Sequence, residues 1–295
     1  MRLLRIITIV LATLVLALAL MPFGLLVGIK HSVLNPQFVI REINRIDLLE
    51  VAEYYLPANL PEGTSQYQSA FLLTIEQDQP WIKGQIQTIV MDSYSFLLNR
   101  TDEWSISIKT EGFINNLLDN LTATLEQSPT PEYAALSEAE RQVYLQDLRS
   151  QIKDAVPESI SLNRNDIPQD VWDSILNTRK IIGSIQTAYY GLIIILVLMI
   201  ASLYLLYLNF KIPSRILGIV FAAQGLIGII GFEVTGRVLS TTLHDMIPLI
   251  WEPYLPFWIK NILMPYGIFS AGLLVIGVGL LIISFLVRKR GKTAE

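Results

Sequence analysis

Four uninterrupted apolar runs constrain this chain more than any other feature. A helix needs about 20 apolar residues to cross a bilayer. The first run, from Ile6 to Ile29, holds 24 residues without a charge. The others cover Ala188 to Phe210, Ile216 to Val234 and Ile262 to Val287. Charged residues make up 16% of the chain, against roughly a quarter in soluble domains. Arg2 and Arg5 open the first run as they would a signal peptide. A cleavable apolar region is about 7–15 residues long and ends at small residues. Here Ala17-Leu18-Ala19 lies inside a run that continues to Ile29, which predicts an uncleaved anchor.

Orientation follows from Lys and Arg in the short flanking segments, which stay cytoplasmic. Arg2, Arg5, Lys211, Arg215, Arg288, Lys289, Arg290 and Lys292 lie on one side, opposed there by a single acid, Glu295. The segment from Lys30 to Ile182 carries 12 basic and 22 acidic residues, a net of −10. Both termini are expected in the cytoplasm, with residues 30–182 outside a cell (plasma) membrane. The expected fold is mainly α: a four-span α-helical integral membrane protein with a mostly helical extracytoplasmic domain. Its parts are the cytoplasmic start and anchor (1–29), the outer domain (30–182) and a three-span domain (183–295). The last contains an outer interfacial loop (236–261) and a basic tail (288–295).

Within 30–182, Asn35-Pro36 predicts a helix start. Phe38, Ile40, Ile43, Ile46, Leu49 and Ala52 then recur at helical spacing until Pro57, where the helix is expected to stop. Pro80 opens a second stripe, from Trp81 through Ile86, Ile89 and Tyr94 to Leu97. Ser137 and Glu140 form a capping box ahead of Val143, Leu145, Leu148 and Ile152. Two alternating runs, Ser105-Ile106-Ser107-Ile108 and Ser159-Ile160-Ser161-Leu162, predict half-buried strands. They are expected to pair, since a lone strand leaves its backbone unsatisfied. The stretch from Glu126 to Tyr133 is expected to be a loop. Only Gly183 weakens a helix running from Asp170 into the second span.

Absent residue types exclude whole chemistries. The chain has no cysteine and two histidines, which removes disulfides, thiolate nucleophiles and Cys-ligated metals. Outer domains of higher organisms are usually stapled by disulfides, so a prokaryotic membrane is the expected home. Claudins and tetraspanins, with their disulfide-bearing outer loops, are excluded on the same ground. A net charge of −4 argues against nucleic acid as a partner. No nucleophile elbow, zinc-protease helix, phosphate loop or dinucleotide fingerprint occurs, so neither an enzyme nor a cofactor is expected. Asn99-Arg100-Thr101 and Asn120-Leu121-Thr122 match the glycosylation acceptor pattern, which arises often by chance.

Three features could carry function. Small residues at Gly218, Ala222, Gly225, Gly228 and Gly231 in the third span, and at Gly267, Ala271 and Gly279 in the fourth, let helix backbones approach. They predict that these two spans pack together. Gln224 is expected to bond a neighbouring helix, and Glu233 to pair with Arg237 one turn on. The loop 236–261 carries Trp251, Tyr254 and Trp258, as an interfacial aromatic belt requires, and its three prolines forbid a regular helix. His31 leaves the first span at the same level. His31, Glu233, His244 and Asp245 therefore form a candidate cluster for a metal or a pH-sensitive latch.

The order of one anchor, a large outer domain and three spans resembles the ABC permeases that transmit ATPase strokes to an outer domain. The likeness is in span order alone, because Met1–Arg5 and Asn209–Arg215 are too short for the cytoplasmic coupling segment such permeases need. Two expectations follow. In one, the acidic outer domain binds an envelope or surface protein, with the bilayer as the other partner. In the other, spans two to four assemble as a homo-oligomeric channel or transporter component.

Overall fold

The computed structural model describes residues 2–59, 67–207, 210–244 and 246–290, with the side chains of 2–6 and 287–290 left aside. In chain order the elements are α1 (Arg2–His31), α2 (Pro36–Asn44), α3 (Leu48–Asn59), α4 (Gln68–Gln77), α5 (Gln79–Leu97), β1 (Ser105–Lys109), α6 (Glu111–Gln127) and α7 (Pro131–Ala134). After these come α8 (Glu138–Ala155), β2 (Ser159–Asn163), α9 (Gln169–Tyr207), α10 (Lys211–His244) and α11 (Leu255–Arg290). The protein is mainly helical, with one two-stranded sheet. The helices α1, α9, α10 and α11 are long and apolar enough to cross a membrane.

The chain divides into two compact units, Met1–Phe38 with Lys180–Glu295, and Val39–Arg179. In the first, Leu16, Leu20, Leu196, Leu203, Leu217 and Phe221 form a core to which all four long helices contribute, with Leu273 from α11. The outward residues are equally apolar: Leu18, Ile194, Val197, Ile219, Ile230, Val275 and Ile282 are all exposed. A helix that is apolar on every side belongs in lipid. Polar groups at depth are satisfied within the bundle. Gln224 donates to the Ala17 carbonyl at 3.1 Å, while Thr13 and Ser270 donate to carbonyls one turn back in their own helices.

The second unit lacks one dominant core. Ala70, Leu117 and Leu121 form one buried cluster, and Leu125, Tyr133 and Leu145 another. Around Trp172 a third group gathers, with Phe96 and Trp104 at ring-centre distances of 5.4 and 6.3 Å. The strands pair antiparallel with Ser107 opposite Ser161. The Thr110 N–H extends the ladder to the Glu158 carbonyl at 2.9 Å.

Several expected boundaries move, each for a local reason. The stripe from Phe38 to Ala52 is two helices, because Asp47 opens a new one. Its carboxylate accepts the Leu49 N–H at 3.0 Å and the Glu50 N–H at 3.4 Å, satisfying donors that a helix start leaves free. Pro57 does not stop α3, which runs on to Asn59; near a helix end a proline removes only one backbone bond. Half-burial holds for β1 alone, since every residue of β2 is exposed. The expected loop from Glu126 to Tyr133 shrinks to residues 128–130, between α6 and α7. Gly183 lies within the continuous helix α9. The loop 236–261 is mostly helical: α10 continues to His244 and α11 begins at Leu255. The prolines explain this. Pro248 precedes a short 3-10 turn, Leu249–Trp251, and Pro256 sits in the first turn of α11, where its missing N–H costs nothing.

Candidate functional site

At the end of the bundle where α1 and α10 finish and α11 begins, the described members of the candidate cluster, His31, Glu233 and His244, do not gather as a ligand set. Among the described residues no three His, Cys, Asp or Glu side chains gather as metal ligands would. His244 Nε2 instead faces Glu252 Oε1 at 3.7 Å. Asp245 lies outside the described residues. His31 closes α1 beside Lys30, whose ammonium sits 3.8 Å from the ring centre of Tyr189 and 4.4 Å from that of Tyr190. These distances suit cation–π attraction, and the ammonium also donates to the Tyr190 hydroxyl at 3.2 Å.

Glu233 makes no ion pair with Arg237. Both line a cavity of about 240 Å³ between α10 and α11, together with Phe232, Gly236, Ser240, Pro256, Ile259, Lys260 and Leu263. One turn separates Glu233 from Arg237, and Lys260 approaches from the other helix. Among the described residues none of the three charges has a hydrogen bond or ion pair within the chain. Lys260 escaped the sequence reading, although it is the one basic residue in the aromatic stretch before the fourth span.

The segment between α10 and α11 is held by aromatic contact. Tyr254 and Trp258 stack at 5.8 Å and 24°, and Trp251 lies 5.9 Å from Trp258. Beside this knot Met246 and Leu249 project, 73% and 69% exposed.

The small residues of α10 and α11 face one another at closest approach. A Cβ on Gly225 would stand 2.5 Å from the Leu274 nitrogen, and one on Gly277 2.4 Å from the Ala222 nitrogen. At Gly218 the obstacles are Leu281 and the Gly277 carbonyl, at Gly228 the Ser270 side chain, and at Gly267 the ring of Phe232, 3.2 Å away. Ala271 is exposed. Tyr266 was not singled out in the sequence, yet its ring and Cβ close on Gly24 and Gly28 of α1.

In the other unit two polar constructions hold helices in place. Asn120 is buried, and its amide donates to Thr74 Oγ1 at 2.9 Å and to Gln77 Oε1 at 3.0 Å. Both amide hydrogens are therefore engaged, and this acceptor pattern has no free nitrogen to modify. Arg179, with 16% of its side chain exposed, donates to Asn99 Oδ1 at 2.7 Å, and to the Thr101 carbonyl and Asp102 at 3.0 Å each. Its guanidinium also lies 4.3 Å from the ring centre of Phe96. Asn99 takes a positive φ of 57° there, which Asn tolerates better than most residues.

Among the described residues of this unit an apolar groove runs along α3. Leu48, Val51, Ala52, Tyr55, Leu56 and Asn59 of α3, with Ile75 and Ile82, line a cavity of about 290 Å³. The helix α3 contributes no buried residue. Comparison with protein-family models, curated proteins and solved structures finds no match to this chain.

Proposed function

We propose that this chain is a four-span protein of a prokaryotic plasma membrane, with both termini cytoplasmic and residues 30–182 outside. Its outer domain acts as an interaction module that docks another envelope or surface protein. The α3 groove carries the reading. A helix with six apolar residues and no buried one is not held by its own core, and an open apolar face of this kind marks an interaction site. Tyr54, Tyr55 and Leu73 stand exposed nearby, and tyrosine is enriched at interfaces. Glu50, Glu53 and Glu76 lie on the same two helices. The partner that fits is an amphipathic segment with an apolar face and basic flanks.

The channel or transporter component draws less support. The glycine face that would line an oligomer is occupied within the chain by α11, and Gln224 is spent on Ala17. A photo-crosslinking amino acid at Tyr55, in the full-length protein in its native cells, tests the proposal; the same group at exposed Val143 is the control. The expected product is one heterologous protein captured from position 55 and not from 143, and lost in Val51→Asp. Capture of only a second copy of the chain from position 55 would overturn it.

A further inference from the structure

The charged cavity between α10 and α11 belongs to a different unit from the α3 groove, and its lining is chemically specific. Glu233 follows an apolar stretch that begins at Ile216, and Lys260 precedes one that begins at Ile262. Both charges therefore sit where hydrocarbon gives way to head groups. At this level charged side chains reach the head groups directly; Glu233, Arg237 and Lys260 are all exposed, and among the described residues none of them has a partner within the chain. The walls around them are Phe232, Ile259 and Leu263. Two cations and one carboxylate around an apolar-walled cleft complement a ligand with a phosphodiester, an ammonium group and a hydrocarbon tail.

We propose that this cavity binds one phospholipid with a primary-ammonium head group. Arg237 and Lys260 hold the phosphate, Glu233 accepts from the ammonium, and an acyl chain descends along Ile259 and Leu263. A guanidinium presents paired donors to phosphate oxygens and a lysine adds a point charge. The carboxylate sets the preference. An anionic glycerol head group would leave Glu233 without a cation, and a trimethylammonium would reach it without an N–H to donate. This inference stands independently of the α3 groove.

The test is native mass spectrometry of the full-length protein in mild detergent, titrated with phosphatidylethanolamine, phosphatidylcholine, phosphatidylglycerol or inorganic phosphate. One equivalent of phosphatidylethanolamine should bind at least tenfold more tightly than either other lipid, with no saturable binding of free phosphate. Arg237→Ala combined with Lys260→Ala should weaken that binding at least tenfold. Glu233→Gln should weaken phosphatidylethanolamine while leaving phosphatidylglycerol unchanged or tighter. All three side chains lack internal partners, so these variants should keep the wild-type circular dichroism. Equal binding of the three lipids, or undiminished phosphatidylethanolamine binding in the double variant, would overturn the proposal. Saturable binding of free phosphate with no lipid preference would overturn it in favour of a soluble anion.

Discussion

Adding a single methyl group at Gly225 tests how the membrane unit is assembled. A Cβ there would stand 2.5 Å from the Leu274 nitrogen and 2.7 Å from the Ser270 carbonyl oxygen, where ordinary contact begins at 3.4 Å. Both obstacles are backbone, so no rotamer change relieves the clash. The helices α10 and α11 must part locally by about 1 Å, and close-packed interiors transmit such a shift to neighbouring contacts. Overpacking of this kind costs about 1–3 kcal/mol, and the backbone obstacles place Gly225→Ala toward the upper end. Gly277→Ala meets the Ala222 nitrogen at 2.4 Å and should behave alike. The combined variant should cost less than the sum, because one separation relieves both clashes. Gly272 and Gly279 provide controls on α11 itself, with nothing within 4 Å of an added Cβ. Alanine there should be neutral, or stabilising by up to about 1 kcal/mol through helix propensity. Reversible unfolding of the purified protein in mixed micelles reads the five variants, and chemical crosslinking reads oligomeric state in parallel. Equal effects at Gly225 and Gly279 would refute the packing argument. A change of oligomeric state with unaltered unfolding would show that the glycine face meets a second chain.

The unit Val39–Arg179 supplies three more tests. Arg179→Ala removes two well-placed hydrogen bonds to Asn99 and Thr101 and a cation–π contact to Phe96. It should cost roughly 2–4 kcal/mol, read by tryptophan fluorescence during denaturation; Asp102→Asn, at a fully exposed partner, should leave the midpoint unchanged. Asn120→Ala leaves the buried Thr74 hydroxyl oxygen without its donor and opens a gap beside it, at about 1–3 kcal/mol. The same assay measures it, and expression in a glycosylating host should leave wild-type Asn120 unmodified by mass spectrometry. Glu140 is held below its ordinary carboxylate range by hydrogen bonds from the Ser137 hydroxyl and N–H. A depressed carboxylate stabilises fully above its unfolded value and loses that contribution as pH falls through its folded one. The difference in melting temperature between wild type and Glu140→Gln should therefore be present at pH 6 and vanish in the acid range below pH 4.5.

Long, redundant signals were legible in the sequence and short, competing ones were not. Any several residues of the four apolar runs suffice to mark a span, so all four emerged as helices apolar enough to cross a membrane. Paired local chemistry was also readable: the Asn35 side chain accepts the Gln37 N–H at 3.1 Å, and Ser137 meets Glu140 at 2.8 Å. The break at Asp47 was hidden because the apolar period continues across it, so that periodicity and capping gave conflicting signals. In 236–261 a proline's effect depends on its position in the turn, and two of the three flank helix starts. Side-chain convergence is a different matter. Histidine and carboxylate identity cannot place His31 beside His244, whereas the cavity joining Arg237 to Lys260 depends on which face of α11 meets α10. The α3 groove was invisible for a different reason. Val51, Ala52 and Tyr55 carry the pattern of a core-facing stripe, and sequence does not say whether a core is there to meet it.

The placement of polar groups in the membrane unit bears on what the unit does. At depth, Gln224, Thr13 and Ser270 are each satisfied by backbone within the bundle. At one boundary, Lys30 is satisfied by two tyrosines, while Glu233, Arg237 and Lys260 remain open to a ligand. A conducting path needs the reverse: polar groups presented along a continuous line through the hydrocarbon, where water or ions replace internal partners. Here internal bonding consumes the deep groups, and the glycines bring α10 and α11 into direct backbone contact. That arrangement suits a bundle solvated by lipid, in which the open charged groups named here lie at the ends of the apolar stretches. For a transport reading, Gln224 is a deep side chain that could serve a permeant, and serving one would mean giving up its bond to the Ala17 carbonyl. Replacing Gln224 with Leu should then abolish the flux, whereas an anchor built for docking would keep its partner binding intact.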